Sequence, residues 1–448
     1  MSRLENILAA RYFRRRLITF LAAGAVAVSV FIVIVVMTIM NGLVLDFKDR
    51  NHDFFGDCII SSTSLTGFAG FEELEERLLA SEKIEAASPV VNSYGLLSSR
   101  LLPSNIGVNI IGVLPEKHCE VTSFCGSLYE PAGKPSDVFK TQGSDAAGCI
   151  RGVAMMNQRS ESGKYNHTID TSLEFTLTTF PLSPSGMPAQ AGADISSSKT
   201  FRLVNDSNSK LAKEDNYNFY VPLEEAQLLC GMAGQSPRVT SLHLRFSPKT
   251  GLQEGCREAR TVLADFREGY SGEHPELLDN VRAESWKQYR SEVIAPVEKE
   301  QIMLTIMFLL IGIVTVFVVL VVFVLIVSGK TKDIGILKSC GLSNGSVLAV
   351  FMKFAALTGA LGASAGAIGA WAFLSKINEL ETWLFENYGW QLWNRSMYVI
   401  DEIPNKLQPG VIAPVFIFAV LASLLGAAVP AVQAAFRRPS ETLRVENL

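Results

Sequence analysis

Residues 17–40 run without a charge and are almost wholly apolar, and the charge-free stretch continues to Leu45. A helix of about 20 such residues crosses a bilayer core. The alternative is a cleaved signal peptide, since Arg14, Arg15 and Arg16 precede the run. A signal peptide has an apolar stretch of only about 7–15 residues and a small-residue cleavage site, which is absent here. The run therefore reads as an uncleaved first membrane span. Gln301–Gly329 is also free of charge, Phe354–Ser375 lies between Lys353 and Lys376, and Leu407–Phe436 lies between Lys406 and Arg437. Pro414 and Pro430 would break a soluble helix but are tolerated near the ends of a span. Phe175–Ala193 also lacks charge, but Ser, Thr, Pro and Gly fill it, so it reads as a loop or hairpin.

Four spans explain why only 19% of the 448 residues are charged, and why mean hydropathy is +0.25. These values exclude a disordered chain, and a net charge of −4 argues against nucleic acid as a partner. Lys and Arg near the spans set the direction. Arg3, Arg11 and Arg14–Arg16 precede span 1, Lys330, Lys332 and Lys338 follow span 2, and Arg437, Arg438 and Arg444 follow span 4. These three segments read as cytoplasmic. The loop between spans 3 and 4 carries Glu379, Glu381, Glu386, Asp401 and Glu402 against three basic residues, so it faces out. The even span count places the segment between spans 1 and 2 outside as well.

That segment is large enough to bury its own core. Phe71–Leu79, Leu223–Gly231 and Gln253–Glu268 read as helices; Val108–Val113, Phe201–Val204 and Thr240–Phe246 read as strands. Ser285–Glu300 is a charged helical stretch leading into span 2, either a carrier of motion or a solvated stalk. Six cysteines fall outside (Cys58, Cys119, Cys125, Cys149, Cys230 and Cys256), and Cys340 falls on the cytoplasmic side. An even number permits disulfides, but parity alone selects none of the 15 pairings. His118, Cys119 and Cys125 lack the second pair that a zinc site needs.

Gly329-Lys330-Thr331 looks like the end of a phosphate loop, but Val324 stands where that motif needs glycine, and a membrane span precedes it. No ATP site is expected on this chain. Gly359, Gly362, Gly366 and Gly369 lie inside span 3 among alanines, a pattern that lets helices approach closely. No span carries an ionisable residue at its middle, which argues against a proton or ion pathway.

The cytoplasmic stretch Lys330–Val350 contains Asp333-Ile334-Gly335-Ile336-Leu337-Lys338, a short amphipathic turn that Gly341 can stop. Its apolar residues need a covering surface, either a partner protein or the lipid interface. KDIGILKSCGLS resembles the coupling segment of the mechanotransmission permeases, the group that includes macrolide-efflux and cell-division (FtsX-like) permeases. Other blocks resemble the permease subunits of lipoprotein-releasing (Lol-type) ABC transporters more narrowly. They are Ala10-Arg11-Tyr12, Met40-Asn41-Gly42, Tyr220–Gln227, Trp286 with Glu298-Lys299, Tyr398–Pro404, and the tail from Pro430-Ala431 through Arg437-Arg438-Pro439. The segment Phe180-Pro181-Leu182-Ser183-Pro184-Ser185-Gly186-Met187-Pro188 is similar to the hook by which one Lol permease type captures a periplasmic chaperone. An ordinary Ser/Pro-rich loop is the plainer alternative. The hook is short, and Asp137–Ala147 and Ser160–Asn166 depart from the usual pattern.

The resemblance implies a membrane α-helical fold of four transmembrane helices, with a large α+β periplasmic domain between helices 1 and 2. The expected segments are 1–16 (basic, cytoplasmic), 17–40 (span 1), 41–300 (periplasmic domain, hook-like loop near 180–199), 301–328 (span 2) and 329–347 (coupling segment). Then follow 348–375 (span 3), 376–408 (short periplasmic loop), 409–432 (span 4) and 433–448 (cytoplasmic tail). It implies a non-enzymatic inner-membrane subunit that works with an ABC ATPase holding ATP and Mg, and with a second permease, either a copy of itself or a related chain. A lipoprotein substrate would lie against Val33, Val36, Ile39 and Met40, in contact with membrane lipid. A periplasmic chaperone would dock on Phe180, Pro181, Pro184, Gly186, Met187 and Pro188. The ATPase would meet Asp333, Ile334, Gly335, Ile336, Leu337, Lys338 and Gly341. The alternatives are an efflux permease and a transmembrane signalling permease.

Overall fold

A computed structural model describes residues 17–100, 102, 104–131, 133–141, 146–157, 165, 173–189, 195–329, 335, 336, 338, 339, 341, 343–390 and 403–436. The basic N-terminal segment, Asp333, Ile334, Leu337, Cys340, residues 398–402 and the tail from Arg437 lie outside them. Among the described residues, four helices are long and apolar enough to cross a membrane: α1 (Leu17–Phe55), α9 (Ser291–Ser328), α10 (Asn344–Tyr388) and α11 (Pro409–Phe436). Each outruns its expected span at one end or both. α1 continues past Met40 because Val44, Asn51, Phe54 and Phe55 bury one side of the extension. α10 continues past Ser375 to Tyr388, so the first part of the expected 376–408 loop is helix, held by its own Ile377 and Glu381 in buried positions. The chain divides into a membrane unit built on these helices and a domain, Asp46–Ala295.

In the membrane unit the span-3 glycines are packing sites. A Cβ on Gly362 or Gly366 would run into the Ala23 or Ala27 carbonyl oxygen of α1, and one on Gly359 would meet Ser423 of α11. Backbones this close gain dispersion contacts that larger side chains would forbid. Gly369 meets only the Phe31 ring, at 3.5 Å.

The domain is a mixed α/β structure. Its strands are β1 (Cys58–Ser62), β2 (Phe68–Ala69), β3 (Ile84–Ser98), β4 (Ile106–Val113), β5 (Gly148–Gly152) and β6 (Glu174–Thr179). They continue with β7 (Ser197–Ser207), β8 (Asn218–Pro222), β9 (Arg238–Val239), β10 (Ser241–Phe246) and β11 (Val281–Ser285). Nine of them form one sheet in the order β11-β1-β10-β3-β4-β8-β5-β7-β6, and β2 pairs with β9. β3 is long enough to pair twice. It runs beside β4, and its end, Leu96–Ser98, pairs with β6, which closes that side of the sheet on itself. The shorter helices are α2 (Phe71–Leu79), α3 (Pro115–Val121), α4 (Phe124–Ser127), α5 (Ala212–Tyr217), α6 (Leu223–Cys230), α7 (Leu252–Gly269) and α8 (Trp286–Tyr289). Strand alternation sends Cys58 and Ile60 into one core and Ile59 into another. The first core lies against α2, α6 and α7. The second gathers Phe54 and Phe55 from the end of α1, with Phe124, Tyr220, Trp286 and Ile294.

Two local features complete the frame. Cys119 and Cys125 are disulfide-bonded across α3 and α4, while Cys58, Cys149, Cys230 and Cys256 are buried and unpaired. The free edge of β11 is closed by side chains. Arg267 donates to the Val281 carbonyl (2.7 Å), Arg260 to the Ala283 carbonyl (2.9 Å), and Gln288 accepts from the Ser285 amide (3.2 Å). An edge satisfied in this way offers little to an incoming strand.

Candidate functional site

The residues expected to form a hook make a turn that follows β6. Ser183 accepts from the Gly186 amide (2.9 Å) around Pro184 and Ser185, and Gly186 has φ +79°. Proline at the second turn position and glycine at the left-handed one are what this geometry requires. The Ser183 amide donates to the Met187 carbonyl (2.9 Å), and the Ala189 amide to the Pro181 carbonyl (2.8 Å). Phe180 and Met187 are 60% and 67% exposed, Gly186 and Pro188 are exposed, Pro184 is half-buried and Pro181 is buried. The turn thus presents two large apolar side chains to solvent on a short stiff ribbon.

The ribbon rests on Arg238 of β9, which the sequence pattern did not single out. Its guanidinium donates to the carbonyls of Thr66 (2.6 Å), Leu182 (3.1 Å) and Gly231 (2.5 Å), tying three loops together. Burial pushes its pKa below the ordinary arginine value. The Leu182 amide donates to the Cys230 carbonyl (3.1 Å), so the ribbon is also fixed to the end of α6. A lone arginine in a two-residue strand carries no periodic signal, and only the fold reveals its role.

In the membrane unit, α1, α9 and α11 line an open apolar cavity of about 270 Å³. Val33 and Met37 line it from α1, Phe308 and Gly312 from α9, and Pro414 and Phe418 from α11. Of the four expected lipid-contact residues, Val33 lines the cavity, while Val36, Ile39 and Met40 are half-buried elsewhere on α1. Ser29, Thr305 and Thr315 are the cavity's polar lining residues. Thr315 Oγ1 lies 2.9 Å from Ser29 Oγ, and both hydroxyls also sit against carbonyls of their own helices.

In the expected coupling segment, Gly335, Ile336, Lys338 and Ser339 have helical backbone, and Gly341 turns out of it with φ +93°. Gly335 is buried and Ile336 is 55% exposed. Lys338 Nζ donates to the Ala435 carbonyl (2.8 Å), which satisfies an end carbonyl of α11. Ser343 then caps α10 through the Ser346 amide (3.2 Å). Among the described residues no group of three His, Cys, Asp or Glu is placed to hold a metal. His118, considered with Cys119 and Cys125, is buried against Ser88 (3.1 Å).

Residues 305–439 match the FtsX-like permease C-terminal family. The whole chain aligns with the lipoprotein-releasing system transmembrane protein LolC of Neisseria meningitidis, at 23% identity covering all of both chains. LolC of Xylella fastidiosa is 29% identical over 28% of this chain and 30% of its own length. The chain is thus similar, end to end, to a transmembrane protein of a lipoprotein-releasing system. Its C-terminal membrane region is FtsX-like. Among solved structures, the periplasmic region of MacB from Actinobacillus actinomycetemcomitans overlaps 55% of this chain and 94% of its own, with 12% identity and a TM-score of 0.32. The extracellular domain of the ABC-type transporter YknZ overlaps 51% and 98%, with 10% identity and a TM-score of 0.29.

Proposed function

We propose that this permease extracts lipoproteins from the bacterial inner membrane and hands them to a periplasmic chaperone, driven by a separate ATPase. The observation that carries this reading is the end-to-end likeness to a lipoprotein-releasing protein. In this reading the N- and C-termini are cytoplasmic and the large domain is periplasmic. A second permease, a copy or a relative, faces this one. The lipoprotein's acyl chains enter through the apolar wall that includes Val33. Each methylene seated there would offset about 0.8 kcal/mol of the cost of leaving lipid. ATP and Mg bind only the partner ATPase, which presses on the segment around Gly335, Ile336 and Lys338. The chaperone docks on Phe180 and Met187, where a rigid ribbon lowers the ordering cost of binding.

The test is binding of a purified lipoprotein chaperone to the full-length permease. Deleting Pro184–Pro188 should abolish binding without changing the complex that co-purifies with the ATPase. Binding that survives the deletion removes the hook from the mechanism. A second test targets coupling. Charged residues at Gly335 and Leu337 should stop release while leaving the membrane fold intact.

A further inference from the structure

Arg290 occupies the break between α8 and α9, and its guanidinium faces groups from two other elements. Nη2 stands 2.9 Å from Glu214 Oε1 of α5, both side chains almost fully buried, held by charge more than by hydrogen-bond alignment. Nε donates to Asn51 Oδ1 (3.2 Å) near the end of α1. The same guanidinium lies 4.6 Å from the centre of the Phe55 ring, also on α1. Asn51 is fully buried, and its amide nitrogen donates to the Phe47 carbonyl (2.8 Å).

A second arginine makes a parallel contact. Arg50 of α1 donates to the Lys210 carbonyl (3.2 Å). The segment from Ser209 to Asn218 therefore receives one arginine from the end of α1 and one from the start of α9. That segment is braced internally. Asp215 Oδ1 accepts from the amide and the hydroxyl of Ser209 (2.7 Å each), and Asn218 donates to Glu214 Oε2 (2.9 Å). Lys210 sits at φ +59°, a conformation that a non-glycine residue keeps only when its surroundings impose it. All of these residues belong to the domain.

We propose that Arg290 is a positioning residue for transport: it locks the domain-side ends of α1 and α9 to each other and to Glu214, so that the two helices move as a pair. The proposal rests on the transporter reading above. A buried ion pair commonly contributes little net stability compared with apolar packing, so fixing geometry is the better account of its presence. Pro296 supports the same design. It lies inside α9, has no N–H for the helix ladder, and marks the boundary of the domain unit. A lock just ahead of a weak helical turn confines bending to the helix and spares the joint.

The test uses the full chain with its co-purified ATPase and second permease in lipid nanodiscs. Spin labels at Asp49→Cys and Glu292→Cys, both exposed positions, report the distance across the joint. The parent should give one narrow distance, unchanged between nucleotide-free and ATP-bound complexes. Arg290→Gln and Glu214→Gln should each broaden it, and Arg290→Lys, which keeps the charge, should hold it narrow. A parent distance that shifts with ATP, or a narrow distance in both neutral variants, overturns the lock. A second readout is lipoprotein released per ATP hydrolysed. Arg290→Gln should lower it about tenfold, with hydrolysis within about twofold of the parent and Arg290→Lys restoring most of it. Equal loss of hydrolysis and release would make Arg290 merely structural. A parent complex that releases no lipoprotein would strike the transport reading, and the label distances would still decide the joint.

Discussion

Replacing Arg238 with alanine should loosen the Phe180–Pro188 ribbon while leaving the rest of the domain folded. The arginine satisfies three carbonyls, at Thr66, Leu182 and Gly231, and its side chain is 4% exposed. A hydrogen bond from a charged donor contributes about 1.5–3 kcal/mol, and these three share one group, so their losses do not add fully. The loops at Leu182 and Gly231 border solvent and can take up water; the Thr66 carbonyl is the costliest to strand. Together these considerations give a local loss of about 3 kcal/mol, which is less than the total stability of a typical domain. The assay is hydrogen exchange at the amides of Leu182, Ser183, Gly186 and Ala189, all bonded within the ribbon or to α6. A loss of that size raises their exchange by about two orders of magnitude if local opening governs it. Arg238→Lys should recover part of the protection, because an ammonium reaches fewer of the three carbonyls. Unchanged exchange in Arg238→Ala would refute the assignment of Arg238 as the anchor.

Acid should weaken the domain. Burial holds His118 at about 3 and His243 at about 4, against an ordinary 6.5, so their stabilising effect is complete above 6.5 and is lost as pH falls below it. At pH 5 the two cost about 4 kcal/mol relative to pH 7, while Asp215, raised by burial to about 6, returns about 1. Urea melts should therefore show a net loss near 3 kcal/mol at pH 5, and a gain on acidification would contradict this. Gly366→Leu should prevent stable assembly of the membrane helices, whereas Gly369→Ala should leave the detergent melting temperature nearly unchanged. Val33→Trp should fill the cavity and cut ATP-driven lipoprotein release severalfold with the complex intact, as checked by co-purification. Arg260→Ala together with Arg267→Ala should expose the β11 carbonyls and raise self-association in light scattering.

The four spans were legible because nothing but a membrane tolerates such runs, and the glycine face of α10 was legible for the same reason. α2, α6, α7, β4, β7 and β10 fall where periodicity places them, since each buries one face on the sheet. The turn at Pro184–Gly186 was legible through its turn residues. What escaped depends on contacts between distant residues. The Cys119–Cys125 bond joins cysteines whose spacing matched no framework. Arg238 and Arg290 act on loops far away in sequence. The pocket is built as much by α9 and α11 as by α1, so residue type on α1 alone could not show which residues line it; Val33 does, and Val36, Ile39 and Met40 lie elsewhere on the helix. The helix past Ser375 was hidden by its charged residues, which read as loop.

The most direct test of the central claim is ATP-driven release from proteoliposomes. The permease, its co-purified ATPase and any second permease would be reconstituted with a radiolabelled triacylated lipoprotein and presented with a soluble chaperone. The account predicts transfer of label to the chaperone only with ATP, and its loss on deleting Pro184–Pro188. A complex that hydrolyses ATP at a normal rate while the lipoprotein stays in the membrane would contradict it, and would point to efflux or signalling instead.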